Sequence, residues 1–182
     1  MTLHFVDSAS AVTDALRRHL GGVDGISIET GDILAVAHTA IVSPANSLGY
    51  MDGGIDRIYV EYFGVSLQGR VLDAIACLPD ARLPIGGCLV IPTGDPRVPH
   101  LLVAPTVDIP GPTTPAAVFH ALSAVLRVGT ARALPDVFCP GLGTGVGMLE
   151  PEEAAQEMAA AYRKWRETIR PSGAATPGVE DS

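Results

Sequence analysis

Short apolar runs alternate with helix-patterned stretches along most of the chain, and that alternation admits few folds. "LHFVD", "GISIE", "HTAIVSPA", "GGCLVIPT", "HLLVAPTV" and "DVFCP" read as six strands, the fourth and fifth separated by the turn "GDPRVP". Between the first two, "SAVTDALRRHLGG" reads as an amphipathic helix with Ser10 as N-cap. Val12, Leu16 and Leu20 form its apolar stripe, and Gly21-Gly22 end it. Two helical stretches follow from about Gly54 to Cys77, broken near Gly64, and "TPAAVFHALSAVLRVG" reads as another helix. The last helix, "PEEAAQEMAAAYRKWRETIR", starts at Pro151, has Glu152 and Glu153 at its positive end and Arg163, Lys164 and Arg166 at its negative end. Ala155, Met158, Tyr162, Trp165 and Ile169 make its apolar stripe, expected to be core. About six strands alternating with helices imply a layered α/β/α domain. Ligands in such sheets sit where loops leave the carboxyl ends of the strands.

A length of 182 residues suits a single domain over residues 1–170, with "PSGAATPGVEDS" at 171–182 as a disordered tail. Near this length a chain buries roughly 70% of its unfolded surface, so no staple is required. Three cysteines, Cys77, Cys88 and Cys139, form no C-x-x-C pair, which argues against a disulfide framework or a zinc site. The opening "MTLHFVDSAS" lacks the basic and apolar regions of a signal peptide, and no apolar run is long enough to span a membrane. A cytoplasmic protein is expected. The net charge of −8 argues against general nucleic-acid binding, which needs a basic face. It leaves room for one anionic ligand, because backbone amides bind phosphate without basic side chains. Ala-, Arg-, Gly- and Pro-rich but Lys-poor usage points to a high-GC bacterium.

Two loops of the required kind are rich in glycine. "CPGLGTGVGMLEPEEAA" sets Gly141, Gly143, Gly145 and Gly147 between the last strand and the last helix. Successive amides in such a loop can form a nest for phosphate or a sugar. No Gly-Lys-Ser/Thr follows and no G-x-G-x-x-G is present, so an ordinary kinase, ATPase or NAD enzyme fits poorly. In "SPANSLGYMDGGID", residues 43–56, the amides of Gly53, Gly54 and Ile55 open a helix and offer a second anion site. Two such sites suit a diphosphate. Asp56 falls in the first helical turn, where the positive helix end favours its ionised form, able to orient or activate water. Asn46 ends a strand with a side chain that donates and accepts, which suits the vicinal hydroxyls of a ribose. Read alone, Asn46 is a turn residue and Asp56 a solvated charge at a helix start; their shared spacing and the second glycine loop favour the ligand reading.

"AIVSPANSLGYMDGGID" resembles the signature of the macrodomain family, in which a strand ends in an Asn-Ala-Ala-Asn-type motif and a glycine run leads to an acidic residue. "FCPGLGTGVG…PEEAA" resembles the family's second ligand loop and following helix, "TGDIL" at 30–34 its Gly-Asp-Ile element, and "PIGGCLVIPTG" to "LLVAPTV" its central strand pair. The resemblance runs from about residue 28 to 165. It implies a three-layer α/β/α sandwich around a mixed sheet of about six strands. It also implies an ADP-ribose site: Asp32 on the adenine amine with Ile33 beside it, Asn46 on the distal ribose, and Gly53, Gly54 and Ile55 on one side of the diphosphate. Gly143, Thr144, Gly145, Val146 and Gly147 would cover the other side and the distal ribose. Asp56 matches the carboxylate that hydrolytic members need, so Asp56 and Asn46 are the candidate catalytic pair.

Three positions depart from the family pattern. Ser43-Pro44 replaces the first Asn-Ala, Asp52 stands where glycine is usual, and Gly147 replaces an aromatic residue, which would widen the pocket near its reactive end. Asp52 is either the N-cap of the helix or a second acid that helps place water. Members that attack the sugar with a lysine have no counterpart here, since Lys164, the single lysine, lies far along the last helix. The implied activity is hydrolysis that removes mono-ADP-ribose from acidic side chains of proteins, by an enzyme expected to be a monomer without metal or cofactor. Alternatives are deacetylation of O-acetyl-ADP-ribose, dephosphorylation of ADP-ribose 1″-phosphate, or reading ADP-ribose without turnover. The implied partners are ADP-ribose and mono-ADP-ribosylated proteins, with no membrane.

Overall fold

The computed structural model describes residues 1–169, so the tail expected at 171–182 lies outside the described residues. The strands are β1 (Thr2–Asp7), β2 (Ile26–Thr30), β3 (Ala40–Ser43), β4 (Leu89–Pro92), β5 (His100–Val103) and β6 (Asp136–Cys139). They form one mixed sheet in the order β2-β1-β6-β3-β5-β4. Only the β4–β5 pair is antiparallel; β2, β1, β6, β3 and β5 run parallel. The carboxyl ends of five strands therefore open on one edge of the sheet.

The helices are α1 (Ser10–Leu20), α2 (Ile33–Val36), α3 (Gly54–Phe63), α4 (Ser66–Ala76), α5 (Pro115–Ala131) and α6 (Pro151–Ile169), with a 3-10 turn at Pro79–Ala81. Alternation along each strand divides the core in two. Leu3 and Phe5 of β1 and Val42 of β3 face α1, α5 and α6, while Val6, Ile41 and Phe138 face α2, α3 and α4. This is the expected α/β/α sandwich. All three stripe residues of α1 are buried, as are Ala155, Met158 and Tyr162 of α6, which also buries Ala154, Ala159 and Ala161. Small alanines let α6 lie close against α1 and α5. Arg18 and His19 of α1 both bind Glu152 at the start of α6, at 2.7 and 2.6 Å.

Four local expectations need correction. Ala9, not Ser10, occupies the N-cap of α1, because Asp7 Oδ1 takes the Ala9 N–H at 2.9 Å and turns the chain one residue earlier. Trp165 is half-buried and Ile169 is exposed, since the last turns of α6 run past the body they pack on. The pair matched to the central strands is the antiparallel hairpin β4–β5 at one edge of the sheet. The one-turn helix α2, which starts within "TGDIL" and ends at Val36, had no local expectation; it is too short for a periodic signal and rests on Asp32 Oδ1, which accepts the Leu34 N–H at 2.9 Å.

Among the described residues no helix is long and apolar enough to cross a membrane, and no group of three His, Cys, Asp or Glu side chains could hold a metal ion.

Candidate ADP-ribose site

A cavity of about 360 Å³ opens at the carboxyl edge of the sheet, between the loops that follow β1, β3, β5 and β6. A second hollow of about 320 Å³ adjoins it and shares Asp7, Ser8, Ile55 and Ile58 with it. The first is lined by Asn46, Asp52, Gly53, Gly54, Ile55, Asp56, Gly143, Thr144, Gly145, Val146 and Gly147. The second is lined by Asp32 and Ile33. Every residue expected at the site thus lies on one continuous cleft.

Helix α3 begins beneath this cleft. Its N-cap is Gly53 in an extended conformation with no side-chain cap, so Asp52, exposed on the cavity wall, is not the N-cap. Gly54 has φ +56, a conformation suited to glycine, and the first α3 amide with a protein acceptor is that of Arg57, on the Gly53 carbonyl at 3.3 Å. The N–H groups of Gly53, Gly54, Ile55 and Asp56 therefore have no acceptor among the described residues. The same holds for Gly143 to Gly147 in the opposite loop, whose own turns are closed by Met148 N–H on Gly145 and Leu149 N–H on Gly143. Val146 reaches across between the two sets: a Cβ placed on Gly54 would lie 3.3 Å from Val146 Cγ2. Open amides on both walls with no cation among the lining side chains are suited to a bound oxyanion held by main chain alone.

Gly147 does not simply leave room for a missing aromatic ring. A Cβ there would lie 2.6 Å from the Gly143 carbonyl oxygen and 2.9 Å from Thr113 Cγ2, so its open side faces the loop's own backbone rather than the sugar site.

Asp56 is the buried acid of the cleft. It and Tyr59, three residues apart on the inner face of α3, meet the end of β3: the Ser43 hydroxyl donates to Asp56 Oδ1 at 2.6 Å, and the Tyr59 hydroxyl donates to the Val42 carbonyl at 3.2 Å. Burial pushes the Asp56 carboxyl up to about 7, against the lowering effect of the Ser43 hydroxyl. The expectation of a readily ionised carboxylate is thereby corrected: burial outweighs the hydrogen bond from Ser43. The second oxygen, Oδ2, has no protein partner, and no fully buried side-chain oxygen or nitrogen among the described residues lacks one. Oδ2 therefore opens to the cavity.

Asn46 has a different local task. Its Oδ1 accepts the N–H groups of Leu48, Gly49 and Tyr50 at 3.1, 3.0 and 3.3 Å, and its Nδ2 donates to the Tyr50 carbonyl at 2.8 Å. The side chain folds the 46–50 turn from within, and only its remaining amide hydrogen is available to a ligand on the cavity wall. Gln68 of α4 fixes the next stretch by accepting the Met51 N–H at 2.8 Å.

Several residues that matter here escaped the sequence reading. Asp7 receives the Ala9 N–H on one oxygen and the Gly141 N–H on the other, both at 2.9 Å, and so ties the turn after β1 to the glycine loop after β6. An Asp two residues before a helix cap is a local signal for the first bond, but nothing local signals the second. Ser43 stood only as a departure from a motif, and it is the partner of Asp56. Arg97, in the β4–β5 turn, donates to the Leu34 and Ala35 carbonyls at 2.6 and 3.1 Å and so clamps α2 beside the second hollow. Lys164 lies over the Phe119 ring at 5.6 Å, between α6 and α5, as expected for a residue outside the site.

The family model described as Macro domain matches residues 42–158. An uncharacterized protein of Aquifex aeolicus is 30% identical over 141 residues, covering 77% of this chain and 82% of its own. The macrodomain of Mycobacterium tuberculosis DarG superposes with a TM-score of 0.65 at 26% identity, over 74% of this chain and 88% of that one. Thermosipho africanus DarTG in complex with ADP-ribose shares the fold at 18% identity and a TM-score of 0.61, over 74% of this chain and 37% of that one.

Proposed function

The chain belongs to the Macro domain family, and from that premise we propose that it binds ADP-ribose along the cleft and removes mono-ADP-ribose from acidic side chains of proteins. Adenine enters the second hollow, where Asp32 keeps one carboxylate oxygen free of the α2 cap for the exocyclic amine. The diphosphate lies between the open amides of Gly53 to Ile55 and those of Gly143 to Gly147, with Val146 over it. The distal ribose then reaches Asp56, with the last amide hydrogen of Asn46 toward a hydroxyl.

The observation that supports hydrolysis most directly is Asp56 itself: a buried carboxyl pushed up to about 7, one oxygen held by Ser43 and the other open to the cavity. A base works best when its pKa lies near the operating pH. Water attacks the anomeric carbon, its proton passes to Asp56 Oδ2, and the carbon–oxygen bond to the protein carboxylate breaks. The carboxylate leaves with the bond pair, and ADP-ribose keeps the new hydroxyl. Two loops that fix the diphosphate deliver the anomeric carbon in one orientation, and that positioning supplies much of the rate. Asp52, exposed on the wall, sits where it could orient the same water.

The test pairs wild type with Asp56→Asn on a protein mono-ADP-ribosylated on glutamate, alongside calorimetric titration with ADP-ribose. Release by wild type alone, with ADP-ribose still bound by the variant, is the expected result. Equal release by both removes Asp56 from the chemistry, and binding without release by either makes the protein a reader.

A further inference from the structure

The loops around the cleft carry a charge and an apolar pattern that the ADP-ribose reading does not use. Residues 7–10, 44–56, 104–114 and 140–150 contain five carboxylates, Asp7, Asp52, Asp56, Asp108 and Glu150, and not one Lys, Arg or His. Against that background, besides Val146, which the ADP-ribose reading places over the diphosphate, three large apolar side chains stand out in solvent. Tyr50 lines the first cavity and is 49% exposed. Ile109, 61% exposed, sits between Val107 and Pro110, which line it, and Met148, 68% exposed, follows Gly147.

They belong to one rim. The Thr113 N–H donates to the Gly147 carbonyl at 2.9 Å, which joins the loop of Ile109 to the loop of Met148. Ser47, in the loop of Tyr50, donates to Asp108 Oδ1 at 3.0 Å, which joins that loop to the loop of Ile109. Tyr50, Pro110 and Gly147 line the first cavity and not the second, so the rim surrounds the end away from Asp32. Exposed apolar side chains scattered singly need no explanation; three on tied loops around one mouth mark a contact surface.

We propose that this rim docks the peptide segment that carries the ADP-ribose, an extended stretch with apolar side chains and at least one Lys or Arg beside the modified residue. The proposal rests on the reading of the cleft as an ADP-ribose site. Tyr50, Ile109 and Met148 receive the apolar side chains, and Asp52, Asp108 and Glu150 receive the cation. A nucleic-acid carrier is disfavoured by the same pattern: binding a phosphate backbone requires basic side chains to neutralise it, and these loops present only acids.

The experiment uses the whole protein and ADP-ribose joined by a non-hydrolysable aminooxy link to three carriers: a peptide with Leu and Lys flanks, one with Asp and Gly flanks, and a single-stranded oligonucleotide. Free ADP-ribose is titrated first. The Leu/Lys conjugate is expected to bind about tenfold tighter than free ADP-ribose, roughly the return from covering one large apolar side chain, and the other two no tighter than free ADP-ribose. Ile109→Ser and Met148→Ser, both at exposed positions, are expected to erase that preference while leaving the affinity for free ADP-ribose unchanged. Equal affinity for all three conjugates overturns the docking surface, as does a preference that survives both substitutions. Tightest binding of the oligonucleotide, weakening steeply with salt, assigns the rim to nucleic acid instead. Failure of free ADP-ribose to bind is a separate result, and it overturns the reading of the cleft itself.

Discussion

The two loops that wall the cleft are built on opposite principles. The segment after β3 is held by side chains: Asn46 gathers three amides, Gln68 holds Met51, and Ser43 holds Asp56. The segment after β6 is held by backbone geometry, with Gly143 at φ +77, main-chain bonds that close its turns, and the Asp7 carboxylate gripping Gly141. A loop stiffened by side chains can hold a carboxyl in an unfavourable, buried place. A loop made of glycines can bring many amides close to a ligand. In the proposed division of labour the first loop acts on the reacting bond and the second binds the diphosphate.

Substitutions should therefore fail differently on the two sides. The largest effect expected is at Asp56, where Asn should lower the rate of ADP-ribose release by about 10²–10⁴-fold, the usual range for losing a general base. Single-turnover release assays measure it.

Asn46→Ala leaves the Leu48 and Tyr50 amides without their acceptor, while Gly49 keeps the main-chain carbonyl of residue 46, and should lower stability by roughly 2–3 kcal/mol, read as a shift in the urea midpoint. Asn46→Asp keeps that acceptor and should cost less, an ordering that a purely ribose-binding role would not produce. The pH dependence of stability gives a third contrast. Between the unfolded carboxyl value and about 7, the folded protein holds the Asp56 proton that the unfolded chain releases. This contribution stabilises fully at low pH and is lost as pH rises through about 7. The advantage of Asp56→Asn over wild type should consequently grow across that window, by up to about 4 kcal/mol; urea unfolding at several pH values reports it.

On the other wall, Gly147→Ala sets a methyl group against the Gly143 carbonyl. It should weaken ADP-ribose binding about tenfold, in line with the cost of overpacking a fitted site, while the urea midpoint moves less than for Asn46→Ala. The smallest change belongs to Ser43→Ala. Because the Ser43 hydroxyl lowers the Asp56 pKa, its removal should raise the pH at which release begins, with little change in ADP-ribose affinity.

Most of the architecture was legible because every strand and every helix except the one-turn α2 had its own local signal. Strand runs, the Gly64 break, Pro151 and the glycine-rich loop are all local, and they placed β1, β2, β3, β6 and the long helices within a residue or two, while β4 starts three residues later and β5 ends four residues earlier than their apolar runs. The candidate site residues were named from their motifs, and the structure gathers them at the carboxyl edge of the mixed sheet. What stayed hidden was long-range pairing. Ser43 meets Asp56 across 13 residues and Asp7 meets Gly141 across 134, and no local pattern encodes either contact. Charge state was hidden for the same reason: a helix start favours an ionised Asp, but the burial that reverses this comes from packing α3 on β3. Asn46 shows the converse, where the plain reading as a turn residue describes the bonds its side chain makes.

The central claim is that Asp56, buried and held by Ser43, is the base that takes the proton from water. Its most direct test is the pH profile of kcat/KM for ADP-ribose release by wild type, which reports ionisations of the free enzyme. The rate should be low in acid and rise to a plateau through a midpoint near 7, because only ionised Asp56 can accept the proton. A profile that is flat from pH 5 to 8, or one already at its plateau near the ordinary carboxyl value, would contradict it.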